Sequence, residues 1–418
     1  MGLGSILGTG IFVSIGLAAG VAGPSVILAV ALAAAVATFN GLSSAQLAAS
    51  HPVSGGTYEY GYRYLGPAAG FTAGWTFLCA KSASAATAAL GFAGYVLGAL
   101  GHAGGAAQVA LALAAVGVLT LLVASGMQRS SRANAAIVSL TLLALAAFVV
   151  AGLPSALRGA PAHLADFYGG DGAAWRDLLH ATALAFVAYT GYGRIATLGE
   201  EIRDPARSIP KAIVVTLVTT MALYVAVAFV AVAAAGAPRL AEATRAAAAP
   251  LEIVARGFGV PAVAWLVAAG AVTAMLGVLL NLLLGLSRVL LAMSRRGDMP
   301  RRFARLGGER RSPRAAVVAV GCAIAALTLT GSVRTTWSLS AFTVLVYYAL
   351  TNLAALRLPA EQRLYGRWVP ACGLASCLGL AFWVEPAIWL TGLAGIGAGL
   401  VWHAVAQRRL RAAAPDAG

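Results

Sequence analysis

The stretch Gly8-Thr9-Gly10-Ile11-Phe12 lies inside the first apolar run of the chain, at about residues 3–22. Glycine costs roughly 1 kcal/mol relative to alanine within a helix, so a pair of glycines weakens the helix at this point. In the hydrocarbon core of a membrane, an interrupted helix is tolerated only where it is buried in protein or lines a cavity. The stretch therefore predicts either a polar site built from main-chain groups or close packing against another helix.

The composition indicates the class of protein. Of 418 residues, 60% are hydrophobic and 10% are charged, and the mean hydropathy is +0.84. A soluble domain carries about 25% charged residues, so we predict an all-α polytopic membrane protein. The four cysteines fall in apolar segments without the spacing of a metal site, and we expect them to be small buried side chains. They are Cys79, Cys322, Cys372 and Cys377.

Twelve apolar runs are expected to span the bilayer. They lie at about 3–22, 25–49, 68–97, 107–125, 133–152, 178–198, 209–235, 261–293, 315–331, 336–356, 368–383 and 387–405. No stretch has the composition of a linker or a soluble domain, so we predict that residues 1–418 form one transmembrane domain. The first run lacks the features of a cleavable signal peptide. Only seven residues precede Gly8, whereas a span needs about 20, so we expect a misplaced start codon or a further N-terminal piece.

Positive charges are distributed unevenly between the two sets of connections. One set, which includes the C-terminus, carries 20 of the 29 lysines and arginines, whereas the other carries 6. The positive-inside rule places the first set and both termini in the cytoplasm. The arginine-rich connection at 295–314 is expected to face anionic lipid, which explains the net charge of +15 without a nucleic-acid partner.

The sixth apolar run carries a second interruption, Thr190-Gly191-Tyr192-Gly193. Helix packing explains each interruption alone, but not their occurrence in corresponding spans of two halves. That correspondence is typical of transporters built from inverted repeats with a site near the membrane midplane. The free N–H groups of a broken helix suit a carboxylate, and its free carbonyls suit an ammonium group. An α-amino acid carries both groups.

These motifs resemble those of the amino acid–polyamine–organocation superfamily of permeases. Besides residues 8–12, the resemblance rests on the sequences at 52–58, 64–67, 74–75, 199–205, 208–213 and 287–293. It covers the first 300 residues and implies five helices followed by five inverted ones, at about 1–152 and 178–356. Helices one and six would be discontinuous, and two further helices would follow at about 368–405.

The resemblance also implies where a substrate binds. The carboxylate is expected at the Thr9 hydroxyl and the Gly10 N–H, and the amino group at the carbonyls of Ile6, Val187 and Thr190. Val187 stands where many relatives have an aromatic gate, so Phe186 or Tyr189 is expected to serve instead. The residues expected to bind substrate are Ile6, Gly8, Thr9, Gly10, Phe186, Val187, Tyr189, Thr190 and Gly191. The acidic residue of some exchangers corresponds to Gly193, and the lysine of a proton-coupled branch is absent near Thr141.

Lys81 falls near the middle of the third run, roughly 20 Å from either end. Its side chain extends only about 6 Å and cannot reach the interface. A charged lysine at this depth costs about 2.5–3.5 kcal/mol and marks a functional candidate. Two interpretations stay open. Lys81 either bonds to broken-helix carbonyls in place of a metal cation, or it gains and loses a proton and couples uptake to the proton gradient.

Other polar residues also leave two interpretations open. Glu200 and Glu201 either act as gating acids or pair with neighbouring cations. Four further residues either line the transport path or form hydrogen bonds between helices, which contribute about 0.6 kcal/mol each. These four are Asn281, Tyr347, Tyr348 and Asn352. The middle of the spans holds no Asp or Glu, and the five histidines form no cluster, so we expect neither an enzyme nor a metal or cofactor.

We therefore predict a secondary amino acid transporter, with protons and the lipid bilayer as its other partners. The sequence does not define the oligomeric state. The alternative is a polyamine or other organocation exchanger, or an amino acid exchanger. A transporter-like nutrient sensor is less favoured, because the tail at 408–418 is too short for a signalling domain.

Overall fold

The computed structural model describes residues 3–53, 55–102, 104–126, 131–168, 174–193, 205–307 and 312–412. Within these ranges the chain is helical, and its β-structure is confined to an isolated bridge between Gly307 and Ser312. Eight helical stretches there are long and apolar enough to cross a membrane, and two shorter apolar helices accompany them. The prediction of an all-α polytopic membrane protein is confirmed.

The helices follow the predicted apolar runs closely. They are α1 (Leu3–Ile6), α2 (Ile15–Ala22), α3 (Val26–Ser50), α4 (Thr57–Tyr64), α5 (Pro67–Ala99), α6 (Ala106–Ala124), α7 (Ser131–His163), α8 (Ala174–Tyr189), α9 (Pro205–Ala235), α10 (Ala237–Ala247), α11 (Pro250–Arg256), α12 (Pro261–Arg296), α13 (Arg314–Thr328), α14 (Val333–Leu356), α15 (Trp368–Ala381) and α16 (Pro386–Ala412). Short 3₁₀ turns at Gly23–Ser25, Arg301–Ala304 and Ala360–Gln362 join some of them.

Several helices are longer than a bilayer is thick, among them α5, α7 and α12. α5 has 33 residues and α12 has 36, which makes each about 50 Å long against a hydrocarbon core of about 30 Å. They must therefore tilt or extend beyond the core. α7 also continues to His163 rather than ending near residue 152, with Pro154 and Pro161 inside it. Its extension packs on α9, where the ring of His163 lies 2.8 Å from the carbonyl oxygen of Ala233.

α5 is the central helix of the bundle. Within its most apolar 18-residue window 72% is buried in the protein, against 17% for the last span at Pro386–Arg408. α5 packs against α12, α14, α6, α13 and α16. Two hydroxyl pairs join α5 to α14, Ser84 with Ser340 and Thr87 with Thr336, both at 2.7 Å. Because Lys81 lies on α5, it lies on the helix with the most buried surroundings.

The expectation of four buried cysteines is wrong for two of them. Cys377 is buried, Cys79 is partly buried, and Cys322 and Cys372 are exposed. The exposed pair lies on α13 and α15, where outer faces are apolar because they face lipid. Apolar surroundings in the sequence therefore do not separate a lipid-facing position from a core position.

Candidate substrate site at the two helix interruptions

The first span is interrupted where the glycines predict it. α1 ends at Ile6, and the backbone at Leu7 and Gly8 is bent rather than helical. A π-helical turn at Gly10–Ser14 follows and leads into α2. The backbone N–H of Phe12 reaches back to the Gly8 carbonyl at 3.3 Å. Such single π-turns inside helices are frequent at functional sites.

The sixth span is interrupted as well. α8 ends at Tyr189, and a 3₁₀ turn at Thr190–Tyr192 follows it. The predicted second half of this span, with Glu200 and Glu201, lies outside the described residues. α1 contacts the 3₁₀ turn, and α8 contacts the π-turn of the first span. The two interruptions therefore meet in space, although about 180 residues separate them in the sequence.

Gly10 is the point of closest approach between these spans. A Cβ atom at Gly10 would lie 2.5 Å from the Cβ of Ala188 and 2.7 Å from its Cα. Both residues are buried. The two interpretations of Gly10, close packing and a binding site, are therefore compatible, because the close helix contact occurs at the interruption itself. Gly8 is also closely covered, since a Cβ there would lie 2.5 Å from the Val278 side chain of α12.

The three carbonyls expected to bind an ammonium group each accept a hydrogen bond from the protein. The hydroxyl of Tyr224 donates to the Ile6 carbonyl at 3.0 Å, and that of Tyr348 donates to the Thr190 carbonyl at 3.2 Å. The Thr190 hydroxyl donates to the Val187 carbonyl at 2.8 Å. The interrupted backbone is thus satisfied by buried hydroxyl groups. The sequence analysis did not identify Tyr224. Its only indication in the sequence is a tyrosine within an apolar run, whose hydroxyl needs a hydrogen-bond partner when it is buried.

The Thr9 hydroxyl is the expected carboxylate ligand. Thr9 is 3% exposed, and its Oγ1 has no hydrogen-bond partner among the described residues. A buried polar atom without a partner costs about 1–3 kcal/mol, which a ligand can recover. Close by, the Tyr95 hydroxyl of α5 donates to the Phe12 carbonyl at 2.8 Å and holds the π-turn against the central helix.

Lys81 reaches the interruption of the sixth span. Its Nζ donates to the Thr190 Oγ1 at 2.7 Å, and its side chain is only partly buried. Thr190 therefore links Lys81 to the carbonyl of Val187 through one hydroxyl group. The structure brings the coupling candidate and the expected substrate residues into direct contact.

The structure distinguishes the two gate candidates. The ring of Phe186 packs edge-on against Tyr348 of α14, with centroids 5.7 Å apart. Tyr189 instead packs on Tyr224 and donates from its hydroxyl to the Val30 carbonyl of α3 at 3.1 Å. Tyr189 thus fastens α8 to α3 and α9. Gly191, inside the 3₁₀ turn, is partly exposed.

The remaining polar candidates divide between the two interpretations. Asn352 donates to Asn40 Oδ1 at 2.5 Å, and the Cys377 thiol donates to the same oxygen at 3.2 Å. This network joins α14, α3 and α15, so Asn352 connects helices. Asn281 Oδ1 is buried and lacks a partner in the described ranges. In the part of the chain that the structure describes, no group of three His, Cys, Asp or Glu side chains could hold a metal.

A buried carboxylate that the sequence analysis missed lies near the arginine-rich connection. Asp298 is fully buried and accepts hydrogen bonds from the hydroxyls of Tyr58 and Tyr62 at 2.7 Å. The His403 Nδ1 lies 3.2 Å from the same carboxylate. Burial and the bonds to Asp298 raise the pKa of both tyrosines, which therefore stay protonated donors. Asp298 fastens α4 and α16 to the end of α12.

These features define a polytopic membrane transporter with two interrupted helices that meet inside the bundle. A sequence model of the amino acid permease family matches residues 1–405, so the chain belongs to that family. The chain is 42% identical over 421 residues to an uncharacterised transporter of Mycobacterium tuberculosis, covering 100% of this chain and 92% of the relative.

More distant relatives are similar over a shorter stretch. The branched-chain amino acid permease BcaP of Bacillus subtilis is 28% identical over 334 residues, covering 75% of this chain and 69% of the relative. The methylthioribose transporter of the same species is 26% identical over 329 residues, with the same two shares. The predicted family is confirmed, and the family and these relatives are transporters rather than enzymes.

Proposed function

We propose that this protein is a secondary active transporter that moves amino acids across the cytoplasmic membrane by alternating access, coupled to protons. The observation that carries the proposal is the meeting of the two interruptions at Gly10 and Ala188, with Lys81 bonded to Thr190 beside them. Membership of the amino acid permease family supports the substrate class.

The substrate carboxylate binds at the Thr9 hydroxyl and the main chain of Gly8 and Gly10. The unpartnered Thr9 oxygen supports this assignment. The substrate ammonium binds at the carbonyls of Ile6 and Thr190, and at that of Val187. Each carbonyl oxygen has two lone pairs, so it can keep its hydroxyl donor and still accept a bond from the ammonium group.

The walls of this site suit an aliphatic side chain. Val187 and Ala188 are small and buried, and the Phe186 ring is buried beside them. One relative is named as a branched-chain amino acid permease, which agrees with such a lining. Leucine is therefore the first substrate to test.

Lys81 couples transport to protons through the Thr190 hydroxyl. A protonated lysine has only donors, so Thr190 accepts from Lys81 and directs its own proton to the Val187 carbonyl. A neutral lysine has a lone pair and can accept the Thr190 proton instead. The Val187 carbonyl then loses its donor, which changes how strongly it binds the substrate ammonium. The protonation state of Lys81 thus changes the site that binds substrate.

Uptake into proteoliposomes tests this mechanism. The wild-type protein should concentrate labelled leucine when a proton gradient is imposed. Lys81→Met should exchange leucine at a rate that does not depend on pH and should fail to concentrate it. Lys211→Met is the matched control, because Lys211 is exposed near the start of α9. A Lys81→Met variant that keeps wild-type pH dependence and accumulation contradicts the coupling role, and wild-type protein that transports no amino acid of a full panel contradicts the proposed function.

The arrangement in the membrane is part of the same proposal. Both termini are cytoplasmic, the inverted repeats occupy about 1–152 and 178–356, and the charge bias of the connections supports this orientation. Cysteines placed at Arg239 and Arg305, with Cys322 and Cys372 replaced by alanine, test it. A membrane-impermeant thiol reagent added to intact cells should label the cysteine at 239 and not that at 305, and the reverse pattern contradicts the orientation.

A further inference from the structure

A cavity of about 300 Å³ opens at the end of the bundle that carries few positive charges. This is the face that the proposed orientation places outside the cell. α2, α8, α10 and the beginning of α14 form its walls, and we call it the outer vestibule. Gly16 lies on its wall closely packed against α10, since a Cβ there would lie 1.9 Å from the Thr244 hydroxyl oxygen.

The outer vestibule leads towards the two interruptions. Its lining includes Gly16, six residues after Gly10, and Leu184, four residues before Ala188. At a rise of 1.5 Å per residue, these lining residues lie roughly 6–9 Å along their helices from the Gly10–Ala188 contact. Along these two helices, the vestibule therefore lies between this face and the proposed substrate site.

Two guanidinium groups line the outer vestibule. Arg245 comes from α10 and Arg334 from the first turn of α14. Each uses one nitrogen in an ion pair, Arg245 Nη2 with Glu242 at 2.7 Å and Arg334 Nε with Glu385 at 2.8 Å. A guanidinium group has five N–H donors, so these pairs position the side chains while leaving donors for a ligand. Both side chains thus present free guanidinium donors at one cavity, of the kind that bind carboxylates.

A polar atom without a partner also lines the cavity. Ser338 on α14 is fully buried, and its Oγ has no hydrogen bond within the part of the structure that is described. The next residue along the chain towards the N-terminus, Trp337, is satisfied by the Leu184 carbonyl at 2.9 Å. The orphaned Ser338 hydroxyl is a second, independent sign of a ligand, because burial without a partner is unfavourable.

We propose that the outer vestibule is a second binding site, which captures the carboxylate of an external amino acid between Arg245 and Arg334 before the amino acid reaches the interruptions. This inference rests on the proposed transport function and extends it to the substrate class. The donors that the ion pairs leave on the two guanidinium groups can bind a free carboxylate, which amino acids carry and polyamines lack. The external substrates are therefore solutes with a free carboxylate, that is, amino acids rather than polyamines.

Transport kinetics test the proposal with Arg245→Gln, Arg334→Gln and the double variant in intact cells. The double variant should raise the external KM for labelled leucine and labelled glutamate about three- to tenfold at low ionic strength, with the maximal rate within about twofold. At about 0.5 M salt the difference should disappear, because exposed charges are then screened. Arg239→Gln is the matched control, since Arg239 is exposed on the same helix but does not line the cavity.

Ser338→Ala provides a test that does not depend on surface charge. Removing an unpartnered buried hydroxyl should leave the protein at least as stable as the wild type, while the external KM for leucine rises about two- to fivefold. If the double arginine variant and Ser338→Ala both keep the KM of Arg239→Gln at low salt, the vestibule site is wrong although transport itself stands. Uptake of labelled putrescine with an affinity similar to that of leucine contradicts the substrate class. A wild-type protein inactive on the whole panel contradicts the proposed function instead.

Discussion

Gly10→Ala adds one methyl group where the first and sixth spans touch. The new carbon would lie 2.5 Å from the Ala188 Cβ and 2.7 Å from its Cα, whereas ordinary contacts begin near 3.4 Å. The two spans must therefore separate by about 0.9 Å. No rotamer change relieves the overlap, because the obstacle is the Cβ and backbone of an alanine, which has no side-chain rotamers. Overpacking of this kind costs about 1–3 kcal/mol.

Two other glycine positions calibrate this cost. At Gly8 the obstacle is the end of the Val278 side chain, which can move, so Gly8→Ala should cost less than Gly10→Ala. At Gly117 on α6 nothing lies within 4 Å of an added Cβ. Gly117→Ala should therefore stabilise its helix by up to about 1 kcal/mol.

Thermal melting in detergent and uptake into proteoliposomes measure the effect. The apparent melting temperature should fall in the order Gly117→Ala, wild type, Gly8→Ala, Gly10→Ala, and Gly10→Ala should lose about tenfold or more in uptake. Adding Ala188→Gly to Gly10→Ala should restore part of both, because it removes the nearer atom and leaves the Cα. A Gly10→Ala variant with wild-type melting and uptake would show that the two spans do not touch there.

Three further substitutions test separate parts of the structure. Tyr224→Phe removes the donor to the Ile6 carbonyl and should cost about 0.5–1.5 kcal/mol in thermal melting. Burial alone would raise the pKa of Glu385, but hydrogen bonds, first that of His180, lower it to about 2. This stabilisation is complete above about pH 4.5 and is lost as the pH falls towards 2. The melting temperatures of the wild type and Glu385→Gln should therefore converge in acid. At pH 7 their free energies of unfolding should differ by on the order of 1–2 kcal/mol after screening. Asp298→Asn leaves one acceptor for two tyrosine hydroxyls and should cost about 1–3 kcal/mol, measured by melting at pH 7.

The sequence predicts those features that local chemistry determines. Hydropathy identifies the spans, since crossing a bilayer requires an apolar run of known length. The glycine pairs predict the interruptions at Gly8 and Thr190 because a helix is weakened wherever they occur. The depth of Lys81 follows from counting residues along α5. Each of these inferences uses a stretch of fewer than about 30 residues, and a helix of that length is about as long as the membrane is thick.

The features that the sequence did not predict depend on contacts between distant parts of the chain. Tyr224 lies 218 residues from the Ile6 carbonyl that it satisfies, and no local pattern indicates such a pairing. In the sequence, Asp298 is an acidic residue in a basic connection. In the structure, α4 and α16 fold over it and bury it completely. The exposure of Cys322 and Cys372 was also not predictable from local sequence, because lipid-facing surfaces and the protein core favour the same residue types.

The contact between Lys81 and Thr190 gives the proposed proton coupling a physical basis. A ligand shifts a conformational equilibrium only by the difference in its affinity for the two states. In the proposed mechanism, a proton on Lys81 changes one hydrogen bond in the segment proposed to bind the substrate ammonium, because it sets the direction of the Thr190 hydroxyl. Coupling energies between sites are typically about 1–3 kcal/mol, or about 5- to 150-fold in affinity, and the effect is reciprocal. On the proposed mechanism, substrate changes the proton affinity of Lys81 by the same factor, so that one hydroxyl group would link both gradients.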